Sequence, residues 1–110
     1  MAYKIQLLEP AEEFLTNLES KLKAKSFRTI ELLRDFGPEL REPFSKKIQS
    51  INDLFELRVK QGSNICRFFY FFERDKIVII TSGYVKKDQK TNKDQLTKAQ
   101  KLMNSFKGEK

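Results

Sequence analysis

A chain of 110 residues has room for one domain around one core, and its 22 Lys+Arg against 15 Asp+Glu leave a formal charge of +7, which suggests a polyanionic partner. The absence of histidine excludes Ser-His and Cys-His nucleophile systems, His-ligated metal sites and nucleases built on paired imidazoles, and a single cysteine excludes an internal disulfide. No run approaches the roughly 18 apolar residues of a membrane span, and the first ten residues lack the layout of a signal peptide, so a cytoplasmic protein with no membrane partner is expected.

In chain order, residues 3–8 alternate as a strand with Tyr3, Ile5 and Leu7 on one side. Pro10 ends it and suits the first turn of a helix, whose positive end Glu12 and Glu13 complement. Phe14, Leu15, Leu18 and Leu22 then fall in one helical stripe. A second helix is predicted from about Ser26, with Phe27, Ile30, Leu33 and Phe36 facing inward, until Gly37-Pro38 stops it. Residues 37–53 read as a connector that Phe44 and Ile48 could anchor. Three strands follow at residues 54–60, 65–72 and 77–81, separated by the turn residues Gln61-Gly62-Ser63-Asn64 and Glu73-Arg74-Asp75-Lys76 and closed by Ser82-Gly83. From Asn92 the period becomes helical, with Leu96, Ala99, Met103 and Phe106 in line and Thr91 with Asp94 as a capping pair. The order β-α-α-β-β-β-α predicts a single α+β domain over residues 1–110, a mostly antiparallel sheet with helices packed on one face.

A hairpin loop over residues 61–64 would pair Lys60 with Ile65 and set Arg58 opposite Arg67. Glu56, Phe69 and Phe71 then share the arginines' face, while Phe55, Leu57, Val59, Cys66, Phe68 and Tyr70 form the core face. Cys66 reads as a core thiol, because nothing near it in sequence could activate it. Facing arginines repel mildly, and one reading is that Glu56, diagonal to Arg67, screens them into an ordinary surface network. The other is an anion site, because Lys86, Lys87, Gln89, Lys90 and Thr91 follow the third strand as a basic loop beside the open face. Arginines on a rigid sheet, adjacent lysines and an aromatic ring that could stack a base, here Phe69, suit single-stranded RNA; Lys60 and Lys93 would extend the phosphate contacts.

The succession LFELRVKQGSNICRFFYFF, then GYVKKDQKT and an amphipathic helix, resembles the HigB-like toxins of the RelE superfamily, in their phage-derived branch. The strand Leu54-Phe55-Glu56-Leu57-Arg58, the strand Cys66-Arg67-Phe68-Phe69-Tyr70 and the loop Lys86-Lys87-Asp88-Gln89-Lys90-Thr91 carry the likeness. Tyr84 and Val85 depart from it where an aromatic is usual in the loop motif, and Cys66 stands where Tyr is common. The resemblance implies the toxin of a type II toxin–antitoxin pair, a RelE-type fold, and cleavage of mRNA on the ribosome without metal or cofactor. It implies a cognate helix-turn-helix, HigA-like antitoxin, contact with operator DNA only through the complex, and a heterotetramer of toxin and antitoxin. Since RNA brings its own nucleophile, the 2′-OH, the protein needs to align it, stabilise charge and move two protons. Arg58 and Arg67 would clamp the phosphate, and Lys86, Lys87 and Lys90 would contact it, one of them as base or acid. Glu56 would carry a proton or orient Arg58. The alternatives are a ParE-like gyrase inhibitor and a non-catalytic nucleic-acid-binding module.

Overall fold

A computed structural model describes residues 2–86 and 91–108. The chain begins with β1 (Lys4–Leu7), whose alternation puts Tyr3, Ile5 and Leu7 against the core while Lys4 and Gln6 stay exposed. Helix α1 (Glu9–Thr16) starts with Pro10 in its first turn, where the missing N–H costs nothing. The apolar stripe expected of one helix is divided here. Asn17 caps α1, Leu18 lies in the turn, and Glu19 restarts the helix by accepting the Leu22 N–H at 2.8 Å. Helix α2 (Ser20–Phe36) therefore begins well before Ser26.

Its inward line is Leu22, Ser26, Thr29, Ile30 and Leu33. Phe27 sits one residue off that line, a rotation of about 100°, and Phe36 closes the last turn; both are 51% exposed rather than inward. Gly37 has φ of 54°, and a side-chain carbon there would come within 2.3 Å of the Tyr3 ring, so the chain reverses closely around Tyr3. A one-turn 3-10 helix (Gly37–Glu39) leads to β2 (Ser45–Lys47), an edge strand too short to register as a pattern. The Ser45 hydroxyl meets the buried Tyr70 hydroxyl, and the anchors of this connector are Ser45, Ile48 and Ile51; Phe44 is exposed.

Strands β3 (Phe55–Gln61) and β4 (Asn64–Glu73) form the hairpin with the expected register, Lys60 opposite Ile65 and Arg58 opposite Arg67. The turn is tighter than expected, since Gln61 and Asn64 also pair and Gly62 takes φ of 62°. Strand β5 (Ile77–Lys86) runs on through Ser82-Gly83 instead of ending there. A bulge between Phe69 and Tyr70 takes up the register change, and Thr81, buried beside it, gives its hydroxyl to the Phe69 carbonyl at 3.3 Å. Gly83 is a strand residue because Phe14 packs over it: a Cβ there would lie 2.6 Å from the ring.

The sheet order is β1-β5-β4-β3-β2, antiparallel except where β1 runs parallel to β5. One face carries Leu57, Val59, Cys66, Phe68, Tyr70, Val78 and Ile80 under α1 and α2. The class is the expected α+β, with two differences: the added strand β2, and helix α3 (Lys93–Phe106), which packs on the opposite face. There Ala99 and Met103 meet Phe69, Phe71, Ile79, Ile51 and Leu54. The cap of α3 is Asn92, whose Oδ1 accepts the N–H groups of Asp94 and Gln95; Thr91 is engaged elsewhere.

Candidate functional site

Register alone lays the second face out in cross-strand rows. Nearest the hairpin tip, Lys60, Ile65 and Lys86 lie side by side on β3, β4 and β5. The next row is Arg58, Arg67 and Tyr84, and the one below it Lys46, Glu56, Phe69 and Ser82. Cations thus gather toward the hairpin end of this face, beside Ile65 and Tyr84, and Glu56 sits at the border with the apolar rows.

Glu56 is the hub. Its Oε1 accepts from Arg58 Nε at 2.6 Å, and its Oε2 accepts from the Thr91 hydroxyl at 2.7 Å and lies 3.4 Å from Arg67 Nε. The carboxylate is 1% exposed, Arg67 0% and Arg58 19%. The expected bridging of the arginines by Glu56 is present, but inside the protein and not as a surface network. One carboxylate faces two guanidiniums, so the locus keeps an excess of positive charge in a medium that screens it poorly.

Tyr84 completes the support. Its ring stacks on Phe69 at 6.0 Å, the Arg67 guanidinium carbon lies 5.9 Å from its centroid, and its hydroxyl accepts the Asn92 N–H at 2.8 Å. Thr91 on Glu56 and Asn92 on Tyr84 therefore fasten the start of α3 across the arginine row. The sequence ends this strand at Thr81 and so assigns Tyr84 to a loop, whereas the structure keeps it in β5. The bulge moves the alternation by one residue, so Ser82, Tyr84 and Lys86 continue the face that Ile77 and Ile79 begin.

The sequence-derived candidates separate accordingly. Glu56, Arg58, Arg67 and Thr91 come together, with Lys60 exposed and Lys86 half-buried in the adjoining row; Lys86 belongs to a strand, not to a loop. Lys93 is exposed at the first position of α3. Arg67 was expected on an open face and is instead roofed over. Phe69 was expected to stack a base, but it is fully buried against Tyr84 and out of reach of one. Lys87, Gln89 and Lys90 lie outside the described residues. On the other face, burial pushes both the Cys66 thiol and the Tyr70 phenol up to about 12, against hydrogen bonds from Ser26 and Ser45 that act the other way, so neither offers an anion at neutral pH. Among the described residues no group of His, Cys, Asp and Glu could hold a metal ion, and no helix is long and apolar enough to cross a membrane.

The family model described as Phage derived protein Gp49-like (DUF891) matches residues 13–104, and the chain belongs to that family. No curated protein sequence matches the chain. Among solved structures, the toxin RelE of E. coli, a mutant in the free state, superposes with a TM-score of 0.68 at 20% identity, over 92% of this chain and 97% of that one. A chain of the archaeal RelE–RelB complex of Pyrococcus horikoshii gives 0.58 at 22% identity, over 83% of this chain and 100% of that one. The toxin–antitoxin complex RelBE2 of Mycobacterium tuberculosis gives 0.56 at 14% identity, over 78% and 100%. The chain has the RelE fold.

Proposed function

We propose that this chain is the toxin of a type II toxin–antitoxin pair, a single HigB-like domain over residues 1–110 that cleaves mRNA in the bacterial cytoplasm while the ribosome holds it. The fold shared with RelE and with two toxin–antitoxin complexes supports the toxin role. The carrying observation for the chemistry is Arg58, partly exposed and held at 2.6 Å by a carboxylate that also pairs with the buried Arg67.

In this reading the RNA 2′-OH attacks the neighbouring phosphorus, a cyclic phosphate forms, and the 5′ oxygen leaves. Arg58 holds the phosphate oxygens in a fixed orientation and stabilises the charge that develops on them. Arg67 acts from behind, fixing Glu56 and adding positive potential. With both oxygens engaged by Arg58, Thr91 and Arg67, Glu56 orients Arg58 more readily than it shuttles protons. Lys86, Lys87 and Lys90 contact phosphate, and one of them takes the 2′-OH proton and returns it to the departing 5′ oxygen; Lys60, Gln89 and Lys93 hold the flanking strand, while Thr91, first expected among these contacts, stays on Glu56. The cognate partner is a helix-turn-helix, HigA-like antitoxin, joined in a heterotetramer that meets operator DNA only through the antitoxin. Neither metal nor cofactor takes part.

Induction in bacteria tests this. Growth should stop, new mRNA 5′ ends should appear inside translated frames and vanish when the start codon is removed, and plasmid supercoiling should be unchanged. Intact mRNA with gyrase blocked would establish the ParE-like reading instead, and unimpaired growth would refute both.

A further inference from the structure

We infer that Phe44, at the β2 edge of the sheet, stacks a base of the RNA next to the phosphate held by Arg58, in the groove between this edge and α2. The inference rests on the RNA reading of Arg58, and it supplies the ring that Phe69, buried against Tyr84, cannot. Strand β2 ends the sheet, and just before it the Phe44 carbonyl accepts the Arg58 N–H at 2.8 Å. Neighbouring strands lie about 4.8 Å apart, so the ring and the guanidinium leave the backbone side by side. A strand of RNA held at Arg58 reaches Phe44 by turning over the sheet edge, past Lys46, which is exposed and opposite Glu56.

Phe44 is 40% exposed and lines a groove of about 570 Å³ together with Lys25, Arg28 and Leu32 of α2. Positions 25, 28 and 32 fall at helical spacing, so one stripe of α2 forms the opposite wall. An exposed aromatic ring flanked by cations is what holds a single strand: the ring stacks the base and the cations take the phosphates on either side. Thr29 gives its hydroxyl proton to the Lys25 carbonyl at 3.0 Å, so the groove grips by ring and charge and does not read a base edge. Such stacking tolerates any sequence.

Charge favours this occupant. Arg34 and Asp35 pair with each other at 3.3 Å, which leaves Lys25 and Arg28 against Glu31 in the groove. Neither Lys25 nor Arg28 has an ion pair among the described residues. Ahead of the ring Arg41 offsets Glu42. Beyond it Lys46 and Lys47 are both exposed, and the carboxylate across from Lys46, Glu56, is buried. The path from Arg58 to the groove therefore carries an excess of positive charge, which suits a phosphate backbone and would set a second copy of this chain against its own cations.

The test uses the whole chain and a short RNA that is 2′-O-methylated throughout, and so cannot be cleaved, with 5-iodouridine at each position in turn. On irradiation one position should crosslink to Phe44, as mapped by mass spectrometry. Phe44→Ala should lower both that crosslink and the affinity by anisotropy about tenfold, Phe44→Trp should retain both, and Arg28→Glu should weaken binding about threefold. In cleavage on the ribosome Phe44→Ala should raise KM about tenfold and leave kcat within about twofold, whereas Arg58→Ala should lower kcat. No crosslink at Phe44 from RNA either free or held by the ribosome, affinity indifferent to Phe44→Ala, or crosslinking of Phe44 to ribosomal RNA alone would overturn the inference. The methylated RNA reports stacking even from a chain that cleaves nothing, so failure of the nuclease reading and failure of this one are separately visible.

Discussion

The two faces of the sheet obey the same alternation and come to opposite ends. On the first, β3, β4 and β5 present an apolar surface, and α1 and α2 bury most of it, leaving Val85 40% exposed near the hairpin tip. On the second, α3 is too short to do the same. Its apolar line meets Phe69, Phe71 and Ile79, and the remaining rows carry Glu56, Arg58, Arg67, Lys60 and Lys86. Adjacent residues of one strand thus serve different purposes: Leu57 is packing, Glu56 is electrostatics. A fold of this size can hold a charged site without losing its core because the strand's period keeps the two jobs on separate faces.

The sharpest way to break that comparison is to change the neighbours in turn. Glu56→Ala removes the anion between two guanidiniums, one of them fully buried, and should cost about 3–5 kcal/mol by urea unfolding, with cleavage lost as well. A loss under about 1 kcal/mol would show that the buried locus is not electrostatically coupled. Leu57→Ala, one residue on, should cost roughly 2–5 kcal/mol from the cavity it leaves, yet the folded fraction should keep its full cleavage rate.

Arg58→Ala should weight the two effects differently. Glu56 keeps Arg67 and Thr91 as partners, so losing this one charged hydrogen bond should cost about 1.5–3 kcal/mol, less than Glu56→Ala, while the mRNA cleavage rate falls about a hundredfold. Arg67→Ala should lower both, because its side chain is fully buried. If Arg67→Ala folds as well as the parent, the roofed-over description of that residue is wrong.

The last effect belongs to the apolar face and is confined to alkaline pH. Cys66 and Tyr70 are acids whose folded pKa, about 12, lies above their ordinary 9.0 and 10.0. The folded chain keeps protons that the unfolded chain releases, so their contribution is complete below about pH 9 and is lost as pH rises toward 12. Stability should fall through that window by up to about 1.4 kcal/mol per pH unit for each group. Cys66→Ala with Tyr70→Phe should flatten the slope, whereas Arg58→Ala should leave it unchanged.

Much of this was legible in advance. The Gln61–Asn64 turn residues between alternating strands settled which residues face which, because a side-chain period of two leaves no freedom once the turn is placed. The facing arginines, Glu56 on their face and the composition of the first core followed from that, as did the α+β class. The helix break at Asn17 was not legible, since Leu18 and Leu22 fit a continuous stripe and only the Glu19 cap divides it. Nor was the length of β5: Gly83 reads as a turn until Phe14 is known to sit over it, and the bulge that hides Tyr84 leaves no local mark.

By itself, then, the sequence determined the pairing and sidedness of residues 55–73, because those depend on neighbours a few positions away. Only the tertiary structure decided that α3 closes over the second face, that Arg67 and Phe69 are fully buried while Arg58 is partly exposed, and that Phe27 lies half exposed beside β1. An amphipathic helix specifies which of its sides is buried but not what it is buried against. That choice depends on contacts among segments far apart in the chain, and it separates the partly exposed Arg58 from the fully buried Arg67.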